Sequence, residues 1–459
     1  MSKKYFRFLP LFLILAFLLT AGFGCKGMSA EVANKMKPVT LNYWRVGDDT
    51  DAFTEIISDY QQAHPNIKIV YRKFRTEEYE QQLLNALAED RGPDILSLPA
   101  DSLREYQSKL EPMPKQITMA YQRVRGTIKK ETYYELATTP TISIRQIKDN
   151  FVDAVYNDAL IDGKVYGLPL SLESLIMFYN KDILNQAAIS QVPTDWKTFQ
   201  DDVAKITKFG ENNKIIQAGA ALGTGKNTSY SFDILSLLMM QNGAIMSAPN
   251  GQVTMFNEVK VGSQNENPGL TALQFYGDFA SPIKSVYSWN NDLPNSLDAF
   301  LAGNVGFLFA YNHDIANIRS RAPKLNFGVA PVPQIPGNPV RNYANYWVET
   351  VSKKSTSTNE AWDFVLFSTK KTEVAKYLAK TKRPTALREL INSELEDEDL
   401  HADATQTLTA DNWYRGKNPD AAKKIIIDMQ DAFVVSSTDE KMINNLMDTT
   451  IKKLNQTIN

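Results

Sequence analysis

Cysteine and histidine, the side chains that most often carry covalent or metal chemistry, are scarce. Cys25 is the single cysteine and His64, His313 and His401 the only histidines in 459 residues. The histidines are far apart and no second cysteine joins them, so no metal-ligand cluster is evident in the sequence. Gly223-Thr224-Gly225-Lys226 imitates a phosphate loop, but Ala220 stands where its first glycine belongs and Asn227 where Ser or Thr belongs. Ser281-Pro282-Ile283-Lys284 has the spacing of a serine acylase, yet no Lys-Thr-Gly partner exists and Pro282 argues against an ordered nucleophile helix. What remains are carboxylates: Asp48-Asp49 after Gly47, Asp101, and Glu173 between apolar Leu172 and Leu175. A carboxylate accepts two hydroxyl hydrogen bonds. Two of them across a cleft could also be the acid and base of a glycosidase, and composition alone does not separate binding from hydrolysis.

The elements that must position these groups follow from hydrophobic periodicity. Val39 to Trp44 reads as a strand, Phe53, Ile56, Ile57 and Tyr60 as a helix face closed by Pro65, and Ile67 to Tyr71 as a second strand. Tyr79, Leu83, Leu84 and Leu87 mark a second helix stopped by Gly92-Pro93, and Asp94 to Leu98 a third strand. Strand, helix, strand, helix, strand at this spacing is a parallel α/β unit with right-handed crossovers. Ligands of such sheets sit beyond the carboxyl ends of the strands, so Trp44 to Asp49 and Leu98 to Asp101 are the places to look. Pro112 to Asn150 is polar, with basic clusters at Arg123-Arg125 and Lys129-Lys130; its composition suggests a solvated helical excursion, or else a partner contact. Strands are also expected over Leu175 to Tyr179, Val305 to Tyr311, Phe327 to Val332 and Val348 to Val351. A helix capped by Thr194 or Asp195 buries Trp196, Phe199, Val203 and Ile206, another starts near Glu360 with Trp362 on its apolar face, and two helices end the chain. Trp196 and Trp362 are assigned to the core.

Lys3, Lys4 and Arg7, an apolar run from Leu9 to Leu19, and small residues up to Gly24 have the layout of a secretory signal peptide. The apolar run falls short of the roughly 20 residues a membrane span needs. Cys25, directly after Gly24, suits a lipoprotein processing site, although Gly22 stands where such sites usually carry Leu. The alternative is an ordinary signal peptide cut near Ala30. Residues 1–24 are thus read as the signal and residues 25–37 as a lipid-anchored tether, whose 13 residues would reach about 40 Å fully extended. From Cys25 onward, 47 basic face 52 acidic residues, a balance that gives no basic face for nucleic acid. The remaining 435 residues exceed one core and fit two domains.

Six stretches, in order, carry a resemblance. They are Gly92-Pro93-Asp94-Ile95; Asp162 to Pro169 with Tyr179-Asn180-Lys181-Asp182; Pro193-Thr194-Asp195-Trp196 with Phe199; Phe300 to Val305; Ala361-Trp362-Asp363-Phe364; and Arg383-Pro384-Thr385. With them the chain resembles the extracellular solute-binding proteins of ABC importers, in the branch of maltose-binding protein and related sugar binders, from Val39 to Asn459 apart from the polar excursion. The resemblance implies an α/β, periplasmic-binding-protein-like fold of two lobes with a cleft and several hinge crossings. One lobe would comprise 38–170 and 350–395, the other 174–346 and 396–459. It further implies a monomeric binder of a small solute, most often a sugar. Such a binder uses no cofactor or metal, performs no catalysis, and presents its solute to permease subunits.

A sugar offers hydroxyls to carboxylates and an apolar face to aromatic rings. Asp48 is accordingly the first acidic candidate, and the family carries ligand-contacting polar residues in its loop. A helix cap is the alternative role, and it fits Asp49 better. Asp101 has the same two readings. Glu173 stands where the family has a cleft-facing glutamate; a surface charge at the hinge is the alternative. Trp44 ends the first strand at the same edge. Tyr311, Asn312 and His313 occupy the place where the family often stacks a tryptophan on the sugar. With none here, Trp289, Tyr346 and Trp347 are the substitutes, each equally suited to a core. A peptide, a polyamine or a glycerol phosphate is the competing solute, and an anionic one would need a cleft cation, for which Arg45 is the nearby candidate.

Overall fold

The computed structural model describes residues 29–127, 129–248, 251–256, 267–436 and 439–458. The expected signal peptide, Cys25 and the start of the tether lie outside these residues. Among those described, no helix is long and apolar enough to cross a membrane.

The chain forms β1 (Val39–Val46), β2 (Ile67–Phe74) and β3 (Ile95–Pro99), then a hairpin of β4 (Gln116–Arg125) and β5 (Glu131–Pro140). A small ribbon of β6 (Leu160–Ile161) and β7 (Lys164–Val165) leads to β8 (Glu173–Ser174) and β9 (Ile176–Asn180). Next come β10 (Lys208–Phe209), β11 (Ile215–Ala220), β12 (Val305–Ala310) and β13 (Phe327–Ala330). The last strands are β14 (Asn342–Asn345), β15 (Trp347–Val351) and β16 (Ala410–Asp411).

β1 pairs in parallel with β2 on one side and β3 on the other, as the βαβ spacing predicts, and β15 closes the sheet antiparallel to β3. Alternation places Leu41, Tyr43 and Arg45 of β1 inward, beneath the helix Asp51–Ala63 that buries Phe53, Ile56 and Tyr60. The second sheet, ordered β10-β11-β12-β9-β13, is mixed, with β9 antiparallel to both β12 and β13. A third sheet pairs β8, β14 and β16. Core membership changes at each of its strands: Leu172 packs with the first core and Leu175 with another, Ala344 with the first and Tyr343 with the other, Ala410 with the first and Trp413 with the other. Three chain crossings are therefore bound to one another by backbone hydrogen bonds, which suits a hinge.

Two segments differ from expectation. Most of 112–150 is the β4–β5 hairpin, and only Ile144–Asn150 is helical there. Its charged residues suggested a helix, but Ile117, Met119 and Tyr121 alternate toward the core while Thr118–Thr138 and Arg123–Glu135 pair across the strands. The tether is also shorter than read. Ser29 caps a helix, Ala30–Lys35, that packs against the hairpin and buries Val32.

Candidate functional site

The loops after β1 and β12 face each other across a cavity of about 550 Å³. Gly47, Asp48 and Asp49 form one wall with Lys380 to Arg383, and Asn312, His313 and Arg319 the other. Gly47 has φ +84°, and a Cβ there would lie 3.5 Å from Arg383 Nη2. The left-handed turn is what calls for glycine here, since a Cβ would meet Arg383 only at ordinary contact distance.

One chain of alternating charges runs beneath the cavity, and Asp48, Arg383 and His313 are the members of it that reach the wall. Arg45, buried in the first core, pairs with Glu349 and donates from Nε to Asp48 Oδ2 at 2.7 Å. Tyr377 Oη donates to the same oxygen at 2.7 Å. Arg383 spans the next gap, from Nε to Asp48 Oδ1 at 3.0 Å and from Nη1 to Glu173 Oε1 at 3.3 Å. Glu173 also accepts from the His313 backbone N–H at 3.1 Å and from Nδ1 at 2.6 Å. Tyr230 Oη lies 3.1 Å from His313 Nε2 and donates to Asp314 at 2.9 Å.

The protonation states follow from these partners. Burial would raise the Asp48 carboxyl, but Arg45 and then Arg383 outweigh it and hold the group at about 2. Burial likewise raises Glu173, and His313 with Arg383 brings it below the ordinary glutamate value. His313, shielded by protein yet with 38 % of its side chain open to the cavity, is lowered by burial and raised more strongly by Glu173, to about 9. The imidazolium therefore donates from both nitrogens near neutrality. Neither Asp48 nor Glu173 is a protonated acid there, and a glycosidase needs one carboxyl held protonated. The cavity offers acceptors on Asp48 and Asn312 and donors on His313 and Arg383, the complement of a polyhydroxyl solute.

The other candidates lie elsewhere. Asp49 caps nothing and pairs with Lys73 at 2.6 Å, while Thr50 heads the following helix without a side-chain cap. Asp101 is not a cap either: its carboxylate meets Lys423 Nζ at 2.8 Å, joining the end of β3 to the helix Pro419–Ser436. Trp289 is core, its Nε1 donating to Asn227 Oδ1. Tyr311 is fully buried and donates to Asp233. Tyr346 is buried, donates to Asp158, and adjoins a space of only about 30 Å³ beside Asp101, Asp233 and Lys423. Trp44 and Trp347 are half-buried, Trp44 against Phe74 and Trp347 against Tyr79. The cavity wall thus holds Asp48 and His313 over Glu173, and of the aromatic candidates it holds none.

Sequence reasoning missed Arg383, Tyr377, Tyr230 and Lys423. Arg45, offered as the cleft cation, is instead buried and paired with Glu349 and Asp48, away from the cavity wall. Its place in the alternation of Leu41, Tyr43 and Arg45 is the signal that it faces inward, where a guanidinium requires buried carboxylates. Arg383 shows only as the residue before Pro384.

A family model described as bacterial extracellular solute-binding protein matches residues 55–407. The chain belongs to this family. Among its relatives, the maltodextrin-binding protein MdxE of Bacillus subtilis is 26% identical over 266 residues, 54% of this chain and 55% of that one. A maltooligosaccharide ABC transporter solute-binding lipoprotein of Streptococcus pneumoniae strain R6 is 27% identical over 46% of this chain and 47% of its own length. The chain spans about half the length of the curated relatives it matches. In fold, it is similar to the cyclic alpha-maltosyl-1,6-maltose binding protein of Arthrobacter globiformis, with a TM-score of 0.71 at 17% identity over 92% of this chain and 99% of that one. The α/β, periplasmic-binding-protein-like architecture is therefore the one the resemblance implied.

Proposed function

We propose that this solute-binding protein captures a sugar or oligosaccharide outside the cell and delivers it, as a monomer, to the permease subunits of an ABC importer. Closure of two lobes about the β8–β14–β16 hinge is the signal the permease reads. The lobes would comprise 38–170 with 350–395, and 174–346 with 396–459. The observation that carries this reading is that two residues of the cavity wall, His313 and Arg383, are both bonded to Glu173 on the hinge strand beneath them. The oligosaccharide relatives support the solute class. A thermal-shift screen of the mature chain against mono- and oligosaccharides, peptides, polyamines and phosphate esters tests it. A ligand at a hundredfold excess over its dissociation constant stabilises by about 2.7 kcal/mol, and Glu173→Ala should abolish the shift. A flat response to every sugar overturns the solute class.

The protein acts as a binder and not an enzyme, so its solute should survive prolonged incubation intact. Both candidate carboxylates being held ionised supports this. Lipid on Cys25 would anchor it outside the cytoplasm, and Cys25→Ser should release it into the medium. A second reading, an anionic solute, is favoured by one observation: Arg319, Lys380, Lys382 and Arg383 all line the cavity. A shift with phosphate esters or acidic sugars alone would select it.

A further inference from the structure

Solute capture makes no use of the far half of the β4–β5 hairpin. Every described residue from Arg123 to Thr132 is exposed, so this part stands off the body as an arm. It lies at the amino ends of the strands: Ala120 O is 3.1 Å from Nδ1 of His64, the residue that closes the helix before β2. The cavity lies at the carboxyl ends, about 26 Å away along the eight residues of β1. A permease that reads cleft closure therefore has no call on the arm.

Its composition points to another partner. Arg123 and Arg125 lie over the rings of Tyr121 and Tyr133 and pair with Glu135 and Glu131. Lys129 and Lys130 add charge that no carboxylate of the arm balances, and Val124 is 59% exposed. Cations and an exposed apolar side chain together suit a bilayer interface. Yet from Cys25 onward the chain is net acidic. The N-terminus supplies an independent constraint. The helix Ala30–Lys35 packs on β4 and β5, and Lys35 pairs with Glu360. From Ser29 on the chain is thus fastened to the hairpin that carries the arm, and the four residues back to Cys25 reach at most about 14 Å.

We propose that the arm from Arg123 to Thr132 is a membrane-contact element that rests on the anionic headgroups of the bilayer holding the anchor. The inference builds on the reading that Cys25 carries lipid. A basic patch then supplies the second signal that makes attachment through acyl chains stable.

The test uses the chain from residue 25 onward with Cys25→Ser, so that no lipid contributes, and vesicles of phosphatidylcholine with or without phosphatidylglycerol. Binding is expected only with phosphatidylglycerol, and it weakens as salt is added. Lys129→Ala and Lys130→Ala should each lower the partition coefficient about fivefold, while Lys214→Ala, an exposed lysine of the second sheet's edge, leaves it unchanged. All three lie outside the core, so solute binding serves as the folding control. Equal binding to both vesicles, no binding to either, or phosphatidylglycerol binding indifferent to Lys129 and Lys130 would overturn the proposal. Loss of permease association in the arm variants, without any vesicle effect, would assign the arm to a protein instead. The anchor is judged separately, by mass spectrometry of the Cys25 peptide from the full-length protein.

Discussion

Arg383→Met removes the guanidinium at the centre of the cleft while keeping much of its apolar stem. The native side chain donates to Asp48 at 3.0 Å and to Glu173 at 3.3 Å, and both acceptors are 6% exposed. Breaking a buried charge pair by removing one partner costs about 3–5 kcal/mol. The low end applies here, about 3 kcal/mol, because Asp48 keeps Arg45 and Tyr377 and Glu173 keeps His313. The pH dependence is a second handle. Asp48 falls from 3.8 to about 2, a depressed acid, so its contribution is fully present above 3.8 and is lost as pH drops through about 2. That shift is worth about 2.5 kcal/mol at roughly 1.4 kcal/mol per unit. Burial opposes it, Arg45 is its largest source and Arg383 the next. The gap between native and variant protein should therefore narrow by about 1 kcal/mol between pH 4 and pH 2. Urea unfolding midpoints at unchanged m measure it. A gap below about 1 kcal/mol near neutrality, or one constant down to pH 2, would refute the account of the charge chain.

Glu173→Gln should let His313 fall from about 9 toward the ordinary histidine value, read by an NMR titration of its ring. A raised histidine contributes stability that is fully present below about 6.5 and lost as pH rises through about 9, so the native protein should lose it on the alkaline side. With the ring 38% exposed, screening limits this to about 1 kcal/mol. Lys423→Ala removes the pair with Asp101, and small-angle scattering of the solute-free protein should show a wider separation of the two cores, with solute affinity falling a few-fold. Trp289→Ala should destabilise by about 3–5 kcal/mol, whereas Trp289→Phe should bind the same solutes with the same selectivity; a change of selectivity in the phenylalanine variant would return Trp289 to the site.

Local order in this chain is written in periodicity. The alternation of Leu41, Tyr43 and Arg45, and the helical spacing of Phe53, Ile56 and Tyr60, depend only on which side chains avoid water, so the βαβ unit is legible. The hairpin was legible in principle, through Ile117, Met119 and Tyr121, but its charged tip masked a period of two behind a helical composition. Asp48 and Glu173 could be chosen because one follows a strand end and the other adjoins a crossing. Their partners could not. Arg383 is 335 residues from Asp48 and 210 from Glu173, and nothing local to Arg383-Pro384 signals a carboxylate. The aromatic candidates show the same limit. Trp289 and Trp44 are alike in sequence terms, yet one is sealed in a core and the other half-open, because burial depends on what other segments bring against a ring. Sequence by itself determined the first βαβ unit, several later strands and helices, and the carboxylates Asp48 and Glu173 as candidates for a cleft. Tertiary structure alone decided which cations neutralise them, since Coulomb energy depends on distance in space and not on separation along the chain.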